Sequence, residues 1–192
     1  MRLSSLTGMT AYHITTANAI PSILKNGLTS GNAARLGHPG AGIYVLYFGL
    51  GFGIKNPLNA AINFSEYLDI DEPVLLQVKV SESDLLMDED ALTNEESIDK
   101  ITSGRVKLPK EFVEAYTKII SEDEGEDEDS LRLPLISLID LYQIKPTKKL
   151  MTEYGHYAFL TARCVTQTLE VNRMWELDQE TGDWQDAILE TT

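Results

Sequence analysis

The chain contains one cysteine, Cys164, and three histidines. A lone thiol forms no internal disulfide, and so small a set of His and Cys argues against a cysteine-rich zinc module or any other metal site. This usage fits a reducing cytosol. No stretch approaches the roughly 18 consecutive apolar residues of a membrane span. The opening MRLSSLTGMT lacks the apolar segment of a secretory leader. The expectation is a cytoplasmic protein with no membrane partner. Positive charge is scarce: 16 basic residues face 30 acidic ones, a net charge of −14. That balance opposes binding to nucleic acid by bulk charge, although Lys25, Arg35 and Lys55 can border a local site.

What is present is a globular composition. The 192 residues are 43% hydrophobic and 24% charged, enough to bury a core without cross-links. One domain spanning 1–192 is expected. Its acidic run SEDEGEDEDS at 121–130 reads as a flexible, solvated loop, or as a docking point for a basic partner such as an antitoxin.

Punctuation and periodicity suggest the elements. TAYHITT at 10–16 reads as a strand. The following ANAIPSILKNGL reads as a helix, with Pro21 in its first turn and Gly27 at its stop. Residues 29–41 read as a loop. Gly42–Phe48 reads as a buried strand, and GLGFGIKNP after it as a mobile loop. LNAAINFSEYL reads as an amphipathic helix and PVLLQVKV at 73–80 as the clearest strand. Residues 81–100 read as acidic and irregular, and 110–120 as helix. Residues 131–144 read as helix or strand, and 156–171 as strands broken near Arg163. A terminal hairpin turns at Thr181-Gly182-Asp183 with Trp175 and Trp184 on its arms. The class is α+β.

Three local patterns carry chemistry: Tyr12-His13-Ile14-Thr15 at the end of the first strand, Gly42-Ile43-Tyr44 on the second, and Asn63-Phe64 in the helix before the strong strand. Alone, each is ordinary. Strand histidines, buried tyrosines and helical Asn-Phe pairs are mostly structural. Their order is more specific: His13, Thr15, Asn18, Ile23-Leu24 with Gly27-Leu28, Gly42-Ile43-Tyr44-Val45, Asn63-Phe64, and Val74-Leu75-Leu76-Gln77-Val78. That series resembles the ADP-ribosyltransferase superfamily, in particular its poly(ADP-ribose) polymerase-like branch with a His-Tyr-Glu arrangement. The resemblance covers residues 10–80 well and the remainder loosely.

The resemblance implies a split β-sheet core with flanking helices and a cleft for NAD as co-substrate. It implies that His13 holds ribose hydroxyls and that the main chain of Ile14, beside Thr15, pairs with the nicotinamide amide. Tyr44 and Phe64 would sandwich the nicotinamide ring, a task needing a π face and no hydroxyl. The transition state is oxocarbenium-like and the leaving group neutral, so positioning and electrostatics carry the catalysis.

The chain departs from the pattern at the glutamate, whose position falls on His156. Three readings stay open there. His156 is a variant third residue, able to hydrogen-bond the ribose or take a proton. Alternatively Glu153 supplies the carboxylate through a shift of register, with Glu170 a more remote choice. Or the site binds NAD or ADP-ribose without turnover. Two further departures are Ala61, where the family has a helix serine, and the longer spacing between Tyr44 and Phe64. Members without the glutamate tend to transfer a single ADP-ribose. The implied function is therefore mono-ADP-ribosyl transfer to a macromolecule, protein ahead of nucleic acid, as by a bacterial or phage toxin or effector. RNA 2′-phosphotransfer, on the same scaffold, would need more arginines than this chain offers.

Overall fold

A computed structural model describes residues 9–30, 42–46, 57–67, 69–123, 130–147, 149–150, 161–166 and 168–187. Nine strands and five helices lie within them, in the order β1 (Met9–Thr16), α1 (Ile20–Asn26), β2 (Leu28–Thr29), β3 (Ile43–Leu46), α2 (Pro57–Tyr67), β4 (Pro73–Val80), β5 (Leu85–Met87), α3 (Glu95–Thr102), α4 (Lys110–Glu122), α5 (Arg132–Tyr142), β6 (Thr161–Cys164), β7 (Thr168–Leu169), β8 (Val171–Leu177) and β9 (Trp184–Ala187). The α+β class is observed. Seven strands form one sheet in the order β5-β6-β3-β1-β4-β8-β9, and β2 pairs with β7 in a second, small sheet. Every pairing among the described residues is antiparallel.

The centre of the sheet is the long pair β1–β4, matched from Met9↔Val80 to Thr16↔Pro73. β4 is buried along almost its whole length, which explains its continuous apolar sequence. Pro73 starts it, a position where the missing N–H interrupts no ladder. On the other side β1 meets β3 at one matched position, Tyr12↔Leu46. The sheet is therefore continuous but narrowly joined between β1 and β3.

Alternation along the strands sends side chains to two faces. Ala11, Ile43, Val45, Val74, Leu76 and Val78 pack on one face with Ile23 of α1 and Leu28. Ile14, Leu46, Leu75 and Trp175 pack on the other with Ala61 and Phe64 of α2. A third cluster joins Leu86 and Met87 of β5 to α3, α4 and α5 through Ile101, Phe112, Tyr116, Leu135 and Ile139. Tyr116 closes that cluster by donating its hydroxyl to the Leu92 carbonyl.

One expectation is corrected. Residues 81–100 are ordered: β5 is fully buried, a 3-10 turn follows at Glu89–Leu92, and Asn94 caps α3 by accepting the Ser97 N–H at 2.9 Å. The acids around it mask the apolar triplet Leu85-Leu86-Met87, which pairs with β6. The strand break expected near Arg163 is present, just past that residue. That residue sits inside β6 with no exposed surface, because its guanidinium pairs with Asp140 of α5. The break follows β6, where the Val165 N–H turns to the Asp84 carbonyl. The segment 131–144, left open between helix and strand, is helical as α5. The hairpin at Thr181-Gly182-Asp183 is present as β8–β9.

Candidate functional site

Where β1 and β3 part beyond Tyr12↔Leu46, a cleft of about 640 Å³ opens. Its lining draws on both faces of the sheet, with Ile23, Leu28 and Val45 from one and Ile14, Leu46 and Phe64 from the other. Tyr12, His13, Thr15, Ser22, Thr29, Tyr44 and Thr161 are its residues with polar side chains, in a mostly apolar wall. This is the usual chemistry of a small-molecule pocket: apolar surface with few polar groups.

Five of the six residues singled out in the sequence line this one cleft: His13, Ile14, Thr15, Tyr44 and Phe64. They come from β1, β3 and α2, as far apart in the chain as His13 and Phe64. The sixth, His156, lies outside the described residues, as do Glu153, Arg35, Lys55, residues 49–56 of the loop GLGFGIKNP and residues 124–129 of the acidic run. Glu170, the remote alternative, is exposed between β7 and β8 and does not line the cleft.

Two glycines bring the walls close. Gly27 ends α1 at φ 77°, and Gly42 leads into β3 at φ 109°. A Cβ on Gly42 would lie 2.6 Å from the Cys164 carbonyl oxygen. Only glycine combines that backbone angle with that approach.

By alternation the side chains of His13 and Tyr44 fall on opposite faces. They are nevertheless linked, because His13 Nδ1 lies 2.8 Å from the Tyr44 carbonyl oxygen. A carbonyl only accepts, so Nδ1 carries the proton and donates. Nε2 of the neutral ring is then an acceptor. Desolvation pushes the His13 pKa below its ordinary 6.5, against the smaller opposing effect of that bond. The neutral ring with an accepting Nε2 is thus the favoured form at neutral pH.

The Tyr44 hydroxyl donates to Glu89 Oε1 at 2.7 Å. Glu89 is 1% exposed, and its Oε2 has no hydrogen-bond partner among the described residues. Burial first, and the neighbouring Asp88 second, push the Glu89 carboxyl up to about 7, although the Tyr44 bond pulls it down. The Tyr44 phenol is raised well above its ordinary range by burial and by the charges of Glu89 and Asp88, and Arg163 partly opposes this. Arg163 is the cross-strand neighbour of both Tyr44 and Leu86.

Asp88, Glu89 and Asp90 bring carboxylate oxygens within 4.8 Å of one another. All three are engaged within the fold, Glu89 by the Tyr44 hydroxyl. Asp88 accepts the Asp90 N–H at 3.0 Å, and Asp90 pairs with Arg132 at 3.0 Å.

Sequence reasoning missed Glu89 and the burial of Arg163. A signal for Glu89 existed in the apolar triplet just before it, which delivers the next turn into the core. The Tyr44 hydroxyl, set aside as unnecessary for stacking, turns out to be anchored.

No known protein family, no curated protein and no solved structure matches this chain. Among the described residues no helix is long and apolar enough to cross a membrane.

Proposed function

We propose that this chain is an NAD-dependent mono-ADP-ribosyltransferase with a protein acceptor, built on an ADP-ribosyltransferase-like fold. The observation that supports the reading most is the cleft itself. The His-x-Thr stretch of β1, the Gly-Ile-Tyr leading into β3 and Phe64 of α2 converge on one apolar pocket at a gap in a sheet.

In this reading the nicotinamide ring lies between Tyr44 and Phe64. Past Tyr12 the main chain of β1 faces the cleft and has no matched partner in β3. In this reading the backbone of Ile14, which lines the cleft, meets the ring's amide. His13 Nε2 accepts a ribose hydroxyl proton. Its orientation is preset by the Nδ1 bond to the Tyr44 carbonyl, so little ordering remains for the ligand to induce.

The bond from ribose C1 to the nicotinamide nitrogen breaks, and its electron pair leaves with nicotinamide, which becomes neutral. The positive charge moves to the ribose as an oxocarbenium ion. An acceptor nucleophile closes on C1 and loses its proton to solvent. His156 or Glu153 would supply the third group beside the ribose.

The test is transfer of label from biotinylated or radioactive NAD into a lysate, separated into protein and nucleic-acid fractions. Label in protein that disappears in Tyr44→Ala supports the proposal. Label confined to nucleic acid replaces the acceptor. Loss of NAD without transfer makes it a hydrolase. Binding of NAD without consumption makes it a binding module.

A further inference from the structure

We propose that Glu89 sets the ligand preference of the cleft by placing a carboxylate behind Tyr44, so that a cationic planar ring binds better than its neutral counterpart. The inference rests on the reading of the cleft as a nicotinamide site, and it names the form of the ring the site selects.

Tyr44 lines the cleft, whereas Glu89 does not. Glu89 therefore reaches a ligand only through Tyr44. The contact is a hydroxyl-to-carboxylate hydrogen bond of 2.7 Å between a half-buried tyrosine and a buried glutamate. A phenol that donates to a carboxylate is polarised, and its ring becomes more electron-rich. The attraction of an aromatic face for a cation grows with that electron density and with desolvation. The nicotinamide of NAD is cationic. The nicotinamide that leaves is neutral and gains no such attraction.

Other charges around the pair are largely matched elsewhere. Arg132 of α5 pairs with Asp90, and Arg163 of β6 pairs with Asp140. Asp88 flanks Glu89 from the same turn and holds the Asp90 N–H. Arg163 also faces Tyr44 from the neighbouring strand and offsets part of the field there. Glu89 is the group that touches the phenol and has an oxygen to spare. Because burial raises its carboxyl to about 7, the charge behind the ring is present above neutral pH and absent below. Glu89 is a positioning residue, and its signature is a pH-dependent preference for charge in the ligand.

The experiment compares 1-methylnicotinamide, a cation, with nicotinamide, neutral and almost isosteric. Binding of each to the full chain is measured by ligand-detected NMR at pH 6 and pH 8, with NAD as reference. In the wild type the preference for the cation should rise about fivefold from pH 6 to pH 8. Glu89→Gln keeps an acceptor for the Tyr44 hydroxyl but cannot ionise, so its preference should not change with pH. An equal preference at both pH values in the wild type, or the same rise in Glu89→Gln, overturns the inference while NAD binding stands. Failure of NAD and both probes to bind the wild type overturns the functional reading and this inference together. A second measurement is independent of whether Glu89→Gln folds. At pH 7 the wild type should release protons on binding 1-methylnicotinamide and none on binding nicotinamide, since ligand and proton affinities are reciprocally linked. Equal proton release for the two ligands overturns the inference.

Discussion

The Tyr44 hydroxyl donates to Glu89 Oε1 at 2.7 Å and so ties β3 to the turn that follows β5. One end of this contact borders the cleft and the other lies in the core. Glu89 has a folded pKa of about 7 against an ordinary 4.5. A carboxyl raised in this way contributes stability that is complete below about 4.5 and is lost as pH rises through about 7. At pH 8 the folded state holds a desolvated charge that the unfolded chain would hydrate. Glu89→Gln removes this dependence. Relative to wild type, the variant should gain up to about 3 kcal/mol between pH 5 and pH 8. Denaturant unfolding at the two pH values measures this, and a constant difference between the proteins would place the ionisation elsewhere.

His13 gives the opposite slope. Its folded pKa lies below its ordinary 6.5. Its neutral form therefore contributes stability that is present above 6.5 and is lost as pH falls through the lower folded value. His13→Asn places an amide N–H near the position of Nδ1 and does not titrate. It should retain most of the bond to the Tyr44 carbonyl and flatten the acid limb of the stability curve. His13→Ala should lose about 1 kcal/mol at pH 7.5 through the missing hydrogen bond. Unfolding of the three proteins from pH 5 to pH 7.5 checks both outcomes. An acid limb that survives in His13→Asn would assign it to another group.

These two residues show how far the sequence could be read. His13 stands in a short strand followed by a helix with Pro21 inside its start and Gly27 at its end, signals that act locally and are legible one residue at a time. β4 and the β8–β9 hairpin were legible for the same reason, through alternation in one and a turn glycine in the other. Glu89 was not. Its neighbours Asp88 and Asp90 make the segment look solvated, and only the pairing of β5 with β6 carries it inward. The burial of Arg163 was hidden in the same way, since a charge inside an apolar strand has no evident place there until its partner Asp140, on a helix, is known. Burial of a charge depends on a partner distant in the chain, and local pattern gives no more than a hint of it, as the apolar triplet before Glu89 does.

Gly42 tests the wall of the cleft where β3 begins. Its φ of 109° lies in a region that side chains avoid, and a Cβ would meet the Cys164 carbonyl oxygen at 2.6 Å. The neighbour is backbone of the paired strand β6 and cannot swing aside. Gly42→Ala should destabilise the protein by about 1–3 kcal/mol. It should also shift amide resonances along Ile43–Leu46 and Thr161–Cys164. Thermal unfolding with backbone NMR checks both, and unchanged stability would mean that β3 can start from another conformation.

Phe64 separates stacking from packing. It is 9% exposed on α2 and belongs to the apolar cluster with Ile14, Leu46, Ala61, Leu75 and Trp175. Its truncation to alanine would cost about 3–5 kcal/mol, so any loss of binding there would report the fold as much as the site. Phe64→Leu is the sharper change. It keeps apolar bulk, with a stability loss of about 1 kcal/mol, and it removes the π face. If Phe64 stacks on a nicotinamide ring, NAD binding should weaken about three- to tenfold in Phe64→Leu, whereas Phe64→Tyr, which keeps the face, should bind close to wild type. Calorimetric titration of the three proteins with NAD decides the matter. Equal affinity in Phe64→Leu and wild type would make Phe64 a core residue at the cleft's edge, and the second face of the sandwich would have to come from another side chain.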